Sequence, residues 1–251
     1  MTGNGILLDK VNLHYSSVAF KERSLKALIT GAFTAPNAKT VVHDIHALKN
    51  ICVEIAPGER VGLLGHNGAG KSTFLKMVAG LYPISSGSRH VEGTVRSLFD
   101  LSLGFEPDAT GRENILYRGL LLGLSPKFMR SVREQIVAFA DIGEFIDYPI
   151  KTYSAGMQVR LAFAISTMVG GDILLLDEII GAGDANFIRR AKARITKLID
   201  DSEILILASH DLGALRDICE RVLVLDHGEV KFDGPVNSAI CEYKKLTGGS
   251  A

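Results

Sequence analysis

The sequence has no excess of charge of either sign, and it lacks any long apolar run. Its 28 Lys and Arg residues balance 28 Asp and Glu residues, so no net basic field favours binding to DNA or RNA. No uninterrupted apolar run approaches the roughly 20 residues that span a bilayer. The first ten residues lack the basic region and apolar core of a secretory signal peptide. We therefore expect a protein that is cytosolic or peripheral to a membrane.

Cysteine is scarce, and its spacing excludes two further classes of protein. Cys52, Cys219 and Cys241 are far apart and odd in number, which favours free thiols in a reducing compartment over a disulfide framework or a metal site. No internal repeat or low-complexity segment is present. With 251 residues, 47 % of them hydrophobic, the chain can form one large α/β domain with a small subdomain and a packed core.

The most informative stretch of the chain has the pattern G-x-x-x-x-G-K-[ST], which is typical of a loop that binds nucleotide triphosphates. Its glycines allow the backbone N–H groups to fold around phosphate oxygens, and a following helix would point its positive end at the same anion. Lys71 supplies a mobile charge for the β- and γ-phosphates, and Ser72 offers a hydroxyl to Mg²⁺. The residues of this phosphate loop are Gly65, His66, Asn67, Gly68, Ala69, Gly70, Lys71, Ser72 and Thr73.

The surroundings of the phosphate loop fit the arrangement that the motif requires. Residues 59–64 predict a short apolar strand that enters the loop. Residues 71–79 predict a helix that leaves it, and Gly80 and Pro83 would end that helix. Strand, loop and helix in this order make a chance glycine-rich turn a poor explanation.

Two carboxylates follow an apolar run in the second half of the chain. Residues 173–176 predict a parallel strand buried on both faces, and Asp177 and Glu178 come directly after it. A carboxylate at a buried strand end is costly unless a cation or partner is near. We expect Asp177 to hold Mg²⁺ through water and Glu178 to activate the attacking water. His210 follows the next apolar run, 204–208, and could reach the γ-phosphate, although a histidine there is usually structural.

The remaining segments predict helices, a hairpin and one turn-rich region. Ser125-Pro126 is a helix start, and the helix it opens extends to Ala140. Further helices are predicted over 112–122, 154–168, 185–199 and 236–245, and a hairpin turns at His227-Gly228. Residues 83–93 are rich in turn formers.

The order of these motifs resembles the ATP-binding subunit of ABC transporters. The resemblance covers nearly the whole chain and includes the phosphate loop, Ser154-Ala155-Gly156-Met157-Gln158, Leu176-Asp177-Glu178, Gly183-Asp184 and Ser209-His210. It implies one domain over 1–251. That domain would have an α/β P-loop NTPase core with a parallel sheet, an antiparallel β subdomain and an inserted helical subdomain at about 102–160.

The resemblance also implies a head-to-tail homodimer with ATP and Mg²⁺ between two copies of the chain. Ser154 and Gly156 would then contact the γ-phosphate held by the partner's phosphate loop, although Ser154 would cap its helix in any case. Asp184 would cross the dimer interface, unless it is a solvated loop residue. Tyr15 is the candidate for stacking on adenine, and His46 is its rival; a tyrosine at a strand end can equally be a core residue.

Within the family, the chain is similar to exporters of cell-surface polysaccharides such as O-antigen, capsule and teichoic acid. The residues that carry this likeness are Leu103-Gly104-Phe105, Thr110-Gly111-Arg112-Glu113-Asn114, Tyr153-Ser154-Ala155-Gly156-Met157 and Gly181-Ala182-Gly183-Asp184. The implied activity is ATP hydrolysis by Lys71, Glu178 and His210. It would power export of a lipid-linked polysaccharide through two copies of an integral-membrane permease, with this chain on the cytoplasmic face. Motors of drug or lipid exporters, and assembly factors outside transport, remain alternatives.

The sequence departs from the family pattern at one residue that usually couples ATP to transport and in the length of one segment. The glutamine expected between the phosphate loop and the helical subdomain is missing, and Leu101 lies near its place beside Asp100. Residues 16–44 form an inserted segment, in which 20–33 has an amphipathic, basic pattern that suits either an anionic membrane surface or packing on its own domain. The chain stops soon after the last predicted helix, so we expect no carbohydrate-binding domain.

Overall fold

The computed structural model describes residues 5–19, 41–99, 104–177 and 184–248, with the side chains of 16–19 and 41–43 excepted. Within these ranges the strands form a three-stranded sheet, in the order β2-β1-β4, and a six-stranded sheet, in the order β5-β6-β7-β3-β8-β9. The strands are β1 (Gly5–Ala19), β2 (Val41–Ile55), β3 (Arg60–Leu64), β4 (Ser86–Glu92), β5 (Val95–Ser97), β6 (Ile173–Asp177), β7 (Ile204–Ala208), β8 (Arg221–Asp226) and β9 (Glu229–Pro235).

The larger sheet has a parallel centre, as the fully apolar runs predict. β3 lies between β7 and β8 and pairs parallel with both, and β7 also pairs parallel with β6. The carboxyl ends of these strands therefore meet at one edge, which brings the residues that follow β3, β6 and β7 together. β8 and β9 form the predicted antiparallel hairpin.

The smaller sheet is antiparallel and includes part of the inserted segment. β1 pairs with β2 from Ile6 opposite Ile55 to Ala19 opposite Val41. Both ends of the segment 16–44 thus continue these strands. The amphipathic stretch 20–33 lies outside the described residues, and its helix stays a prediction.

Seven α-helices lie in the described ranges. They are α1 (Lys71–Val78), α2 (Gly111–Leu121), α3 (Pro126–Ala140), α4 (Ala155–Ser166), α5 (Ala185–Asp201), α6 (Leu212–Ile218) and α7 (Val236–Leu246), and two short 3-10 helices cover Gly143–Asp147 and Ile150–Thr152. The predicted start of α3 is confirmed, because the Ser125 side chain accepts a hydrogen bond from Phe128 N and Pro126 occupies the first helical position. None of the helices in the described part of the chain combines the length and apolar composition needed to cross a bilayer.

Two elements differ from the sequence prediction. The turn-rich region contains β4, whose residues are mostly exposed and which pairs antiparallel with β1 at the edge of the small sheet. The seven-residue helix α6 was not predicted; Asp211 caps it by accepting hydrogen bonds from Gly213 N and Ala214 N.

Within the described part of the chain, the core has three buried clusters. One lies between the small sheet and the large sheet and includes Phe74 on α1. The second packs α5, α6 and α7 against the large sheet. The third joins α2, α3 and α4 through residues such as Ile115, Ile136 and Leu161, so these helices have a core of their own.

Candidate nucleotide site

The phosphate loop joins β3, at the centre of the large sheet, to α1. Gly70 caps α1 with φ at 111°, a left-handed conformation that favours glycine. Gly65 allows a close approach, since a Cβ there would lie 2.5 Å from the backbone oxygen of Leu225. The loop is therefore fixed by backbone geometry, and its N–H groups and the α1 N-terminus offer a site for an anion.

Lys71 lies inside this loop. Its Nζ donates hydrogen bonds to the backbone oxygen of Gly65 at 2.6 Å and to that of His66 at 3.1 Å. The ammonium group is thus held over the first turn of the loop, where it can act on the phosphates of a bound nucleotide.

Ser72 and Asp177 are brought together as the sequence predicts. The Ser72 hydroxyl donates to Asp177 Oδ2 at 2.7 Å, which connects the start of α1 to the end of β6. Both groups offer hard oxygen atoms of the kind that Mg²⁺ prefers, beside the anion site. The donor set fits a magnesium ion.

Tyr15 lies next to the far end of the phosphate loop. Its hydroxyl donates to Thr73 Oγ1 at 3.2 Å, and burial raises the pKa of the phenol. The rival residue, His46, instead stacks on His14 with ring centroids 4.0 Å apart. Contact with Thr73 favours Tyr15 over His46 as the residue that meets adenine, and this role stays a prediction.

Ser154 and Gly156 lie at the exposed start of α4. The Ser154 side chain accepts a hydrogen bond from Met157 N at 3.3 Å, so the residue is a helix cap, as expected. A Cβ on Gly156 would meet no atom nearer than Ser154 Oγ, at 4.0 Å. This surface is open to a partner, and its contact with a γ-phosphate stays a prediction.

Asp184 caps α5 and pairs with a residue of α4. Its carboxylate accepts from Asn186 N and Phe187 N and lies 3.2 Å from an Arg160 nitrogen. The Phe187 N–H group, with Arg160 nearby, holds the pKa of Asp184 below its ordinary value. The residue therefore links two helices, and its place at a dimer interface stays a prediction.

The remaining site residues divide between the described and undescribed parts of the chain. His210 is exposed directly after β7, between buried Ser209 and the cap of α6. Glu178 and Leu101 lie outside the described residues, so the catalytic role of Glu178 stays a prediction.

The hairpin turn between β8 and β9 supports the phosphate loop, which the sequence did not predict. Gly228 N donates to the backbone oxygen of Ala69 at 2.9 Å, and His66 Nε2 lies 3.0 Å from Asp226 Oδ1. The only sequence signal was a hairpin turn, and no local pattern indicates that it contacts a loop far away in the chain.

Comparison with known proteins gives consistent results. The ABC transporter family matches residues 48–181. The chain is 40 % identical over 201 residues to the O-antigen export system ATP-binding protein RfbB of Myxococcus xanthus, covering 80 % of this chain and 46 % of the relative. It is 45 % identical over 184 residues to the O-antigen export system ATP-binding protein RfbE of Yersinia enterocolitica, covering 73 % of this chain and 77 % of the relative. The chain thus spans less than half of the Myxococcus protein.

Solved structures show the same fold. A dimeric ATP-binding cassette in a post-hydrolysis state, bound to ADP and Pi, superposes with a TM-score of 0.66 at 21 % identity, covering 92 % of this chain and 98 % of the other. The predicted α/β fold is confirmed. With the family match and the phosphate loop joined to Asp177, these findings show that the chain belongs to the ABC transporter family and carries its ATPase domain.

Proposed function

We propose that this chain hydrolyses ATP to drive export of a lipid-linked cell-surface polysaccharide, of the class that includes O-antigen, capsule and teichoic acid. The observation that carries the proposal is the hydrogen bond from Ser72 to Asp177, which joins the phosphate loop to the strand-end carboxylate. The polysaccharide cargo is supported by the two O-antigen export proteins that the chain resembles.

The residues divide the chemistry of hydrolysis among them. Ser72 and Asp177 would hold Mg²⁺, which supplies neutralising charge at the β- and γ-phosphates when it is bound. The Lys71 ammonium stabilises charge on the transferring phosphoryl group, and Glu178 orients and deprotonates the attacking water. His210 completes the surroundings of the γ-phosphate.

The chain acts as a homodimer in this proposal. Support comes from the exposed start of α4, where a helix N-terminus and the uncrowded Gly156 can meet the nucleotide of a second copy. Two copies would thereby close over two ATP molecules, with Ser154 and Gly156 of each facing the partner's phosphate loop.

Two copies of an integral-membrane permease would hold the dimer at the cytoplasmic face of the inner or plasma membrane. Support comes from apolar side chains that α2 exposes: Tyr117 is 41 % exposed, Leu120 46 % and Leu121 74 %. A group of exposed large apolar residues on one helix is typical of a protein interface.

The direct test is co-purification of the chain with its membrane partner, followed by identification of the bound glycan and measurement of ATP turnover. We expect a polytopic membrane protein, a lipid-linked polysaccharide, and ATP turnover that this polysaccharide stimulates. Stimulation by a drug or simple lipid, with no response to glycan, would assign the motor to another exporter. A salt-sensitive nucleic-acid complex in place of a membrane partner would contradict transport altogether.

A further inference from the structure

A histidine of the phosphate loop meets a second histidine and a carboxylate from the β8–β9 turn. His66 Nε2 lies 3.0 Å from Asp226 Oδ1, and His227 Nε2 lies 3.8 Å from the same oxygen. One donor atom from each of these three residues lies within 4.8 Å of the other two. The cluster is separate from the oxygen pair Ser72–Asp177 and differs from it in chemistry.

Backbone contacts hold the cluster in place. His227 has φ at 47°, and Gly228 follows with φ at 81°. Gly228 N donates to the backbone oxygen of Ala69. A Cβ on Gly228 would lie 2.4 Å from the backbone oxygen of Ala47. The turn therefore packs against the phosphate loop in one register, and it brings His227 and Asp226 to His66 without depending on flexible side chains.

The two ring nitrogens of His66 have different partners. Its Nδ1 lies 2.7 Å from the backbone oxygen of Asn67, and a carbonyl oxygen only accepts, so Nδ1 is the donor in this contact. Nε2 lies 3.0 Å from the negative oxygen of Asp226, close enough for both atoms to bind one cation. A histidine that binds a metal through one ring nitrogen usually donates the other ring N–H to a carbonyl, carboxylate or water, and Nδ1 has such a partner in the Asn67 carbonyl.

We propose that His66, Asp226 and His227 form a binding site for a divalent transition-metal ion, with Zn²⁺ as the fitting example. Ligand atoms around tetrahedral zinc lie about 3.3 Å apart, and the observed separations of 3.0 Å and 3.8 Å bracket that value. Two imidazoles and one carboxylate suit zinc, whereas Mg²⁺ prefers oxygen ligands. The fourth position is open to water, because the His227 side chain is 76 % exposed.

The site would join the phosphate loop to the turn that supports it. His66 is the second residue of the phosphate loop, and the β8–β9 turn supports that loop at Ala69. Bound zinc would add a coordinate link between the turn and the loop, next to the hydrogen bond that already joins them.

The experiment measures Zn²⁺ binding to the full chain by calorimetry, without nucleotide. We expect one ion per chain, and we expect His227→Asn to weaken the affinity at least about tenfold, because it removes one of three ligands. Asn suits the test because it tolerates positive φ. His90→Asn is the matched control: His90 Nε2 also pairs with a carboxylate, that of Glu92 at 2.8 Å, but among the described residues this pair has no third potential ligand beside it.

Two further variants keep the test decisive. Cys52 and Cys241 are exposed thiols that could bind zinc, so the titration is repeated in the Cys52→Ser/Cys241→Ser chain, where we expect unchanged affinity. His227→Gly also fits a positive φ and repeats the result if the Asn variant folds poorly. Unchanged affinity in both His227 variants, or loss of binding in the cysteine variant, overturns the proposal. Both outcomes are independent of ATP turnover and of the exported cargo.

Discussion

Each glycine of the phosphate loop meets a different physical demand. Gly65 is needed for space, because a Cβ there would lie 2.5 Å from the Leu225 oxygen. Gly70 is needed for conformation, with φ at 111°, and Gly68, with φ at 85°, has nothing within 4 Å of a Cβ. Alanine at Gly65 would therefore force the loop off β8, while alanine at Gly68 would meet only local backbone strain.

The sequence assigns the general base to Glu178, directly after the predicted magnesium ligand Asp177 in the chain. Asp177, which precedes it in the chain, accepts a hydrogen bond from Ser72 of the phosphate loop. We expect Glu178→Gln to keep ATP affinity and to lower turnover by roughly 10²- to 10⁴-fold, since the amide cannot take a proton from water. Equilibrium binding of labelled ATP and steady-state phosphate release measure the two effects. Full turnover in this variant would remove the assignment.

The cap of α4 can be separated from its role toward ATP by a matched pair of variants. Ser154 and Ser125 cap α4 and α3 in the same way, each accepting a hydrogen bond from the N–H group three residues ahead. We expect Ser154→Ala and Ser125→Ala each to lower the free energy of unfolding by about 1 kcal/mol. Only Ser154→Ala should also lower ATP turnover, because only that hydroxyl would meet a γ-phosphate. Denaturant unfolding and ATPase assays on both variants test this; equal turnover would leave Ser154 a cap alone.

At the scale of elements, an ion network joins α3, α4 and α5 beside the proposed dimer surface. Arg160 on α4 contacts Asp141, just after α3, and Asp184, the cap of α5. Arg190 on α5 contacts the same Asp141 carboxylate at 2.9 Å. The first half of α4 and the cap of α5 are thereby tied together by side-chain ion pairs.

Tyr153 anchors the start of α4 and makes this region sensitive to alkaline pH. Its buried hydroxyl donates to the Phe145 oxygen at 2.6 Å, and burial raises the pKa of the phenol to about 12, from 10.0. The folded state keeps the proton as pH rises past 10, whereas the unfolded chain loses it, so the stability that this group contributes is complete below pH 10 and is lost between pH 10 and about 12.

We therefore expect Tyr153→Phe to change stability in two ways. At neutral pH the variant loses about 1 kcal/mol of unfolding free energy, because the Phe145 carbonyl loses its donor. Between pH 10 and 12 its stability falls less steeply than that of the unaltered chain, since it has no phenol to ionise. Urea unfolding at several pH values measures both, and parallel pH profiles would show that Tyr153 does not titrate as described.

The inserted segment gives a second prediction at this scale. Residues 16–19 and 41–44 continue β1 and β2, and residues 20–33 lie between these strand ends. Because none of the predicted nucleotide-site residues belongs to this stretch, we expect its deletion to leave basal ATP turnover intact. Export should fall if the basic, amphipathic pattern serves a membrane surface or the permease. Parallel assays of ATPase activity and export in cells compare the two, and unchanged export would remove this role.

Elements that have a local sequence pattern were predictable, and elements without one were not. The apolar runs predicted β6 and β7, and Ser125-Pro126 predicted the start of α3. β4 was missed because it is a mostly exposed edge strand with few apolar residues, and its pairing with β1 is a tertiary effect. The short helix α6 has too few residues for a clear period.

At the scale of the whole molecule, some contacts of the candidate site were predictable from the sequence and others were not. The phosphate loop and Asp177 were predictable from motifs, and the strand order explains why they meet at one sheet edge. The contact between the phosphate loop and the β8–β9 turn was not, because it joins residues far apart in sequence through backbone groups. Ser154 and Gly156 lie on an open surface. In the predicted arrangement, the nucleotide that they contact is therefore bound to a second copy of the chain.

This last point predicts that a carboxylate at Gly156 separates folding from assembly. A Cβ at this position meets no atom nearer than 4.0 Å, and a negative charge in the first turn of α4 interacts favourably with the helix dipole. Gly156→Asp should therefore keep the stability of the monomer. It should abolish the ATP-dependent dimer, because the carboxylate would face the triphosphate of the second copy.

Sedimentation with Mg²⁺ and ATP, in the slow Glu178→Gln background, measures the dimer. Lys127→Asp is the control, since it adds a carboxylate at the same position of α3, two residues after the cap Ser125. An ATP-dependent dimer that survives Gly156→Asp would contradict the head-to-tail arrangement, because no phosphate could then lie against the start of α4.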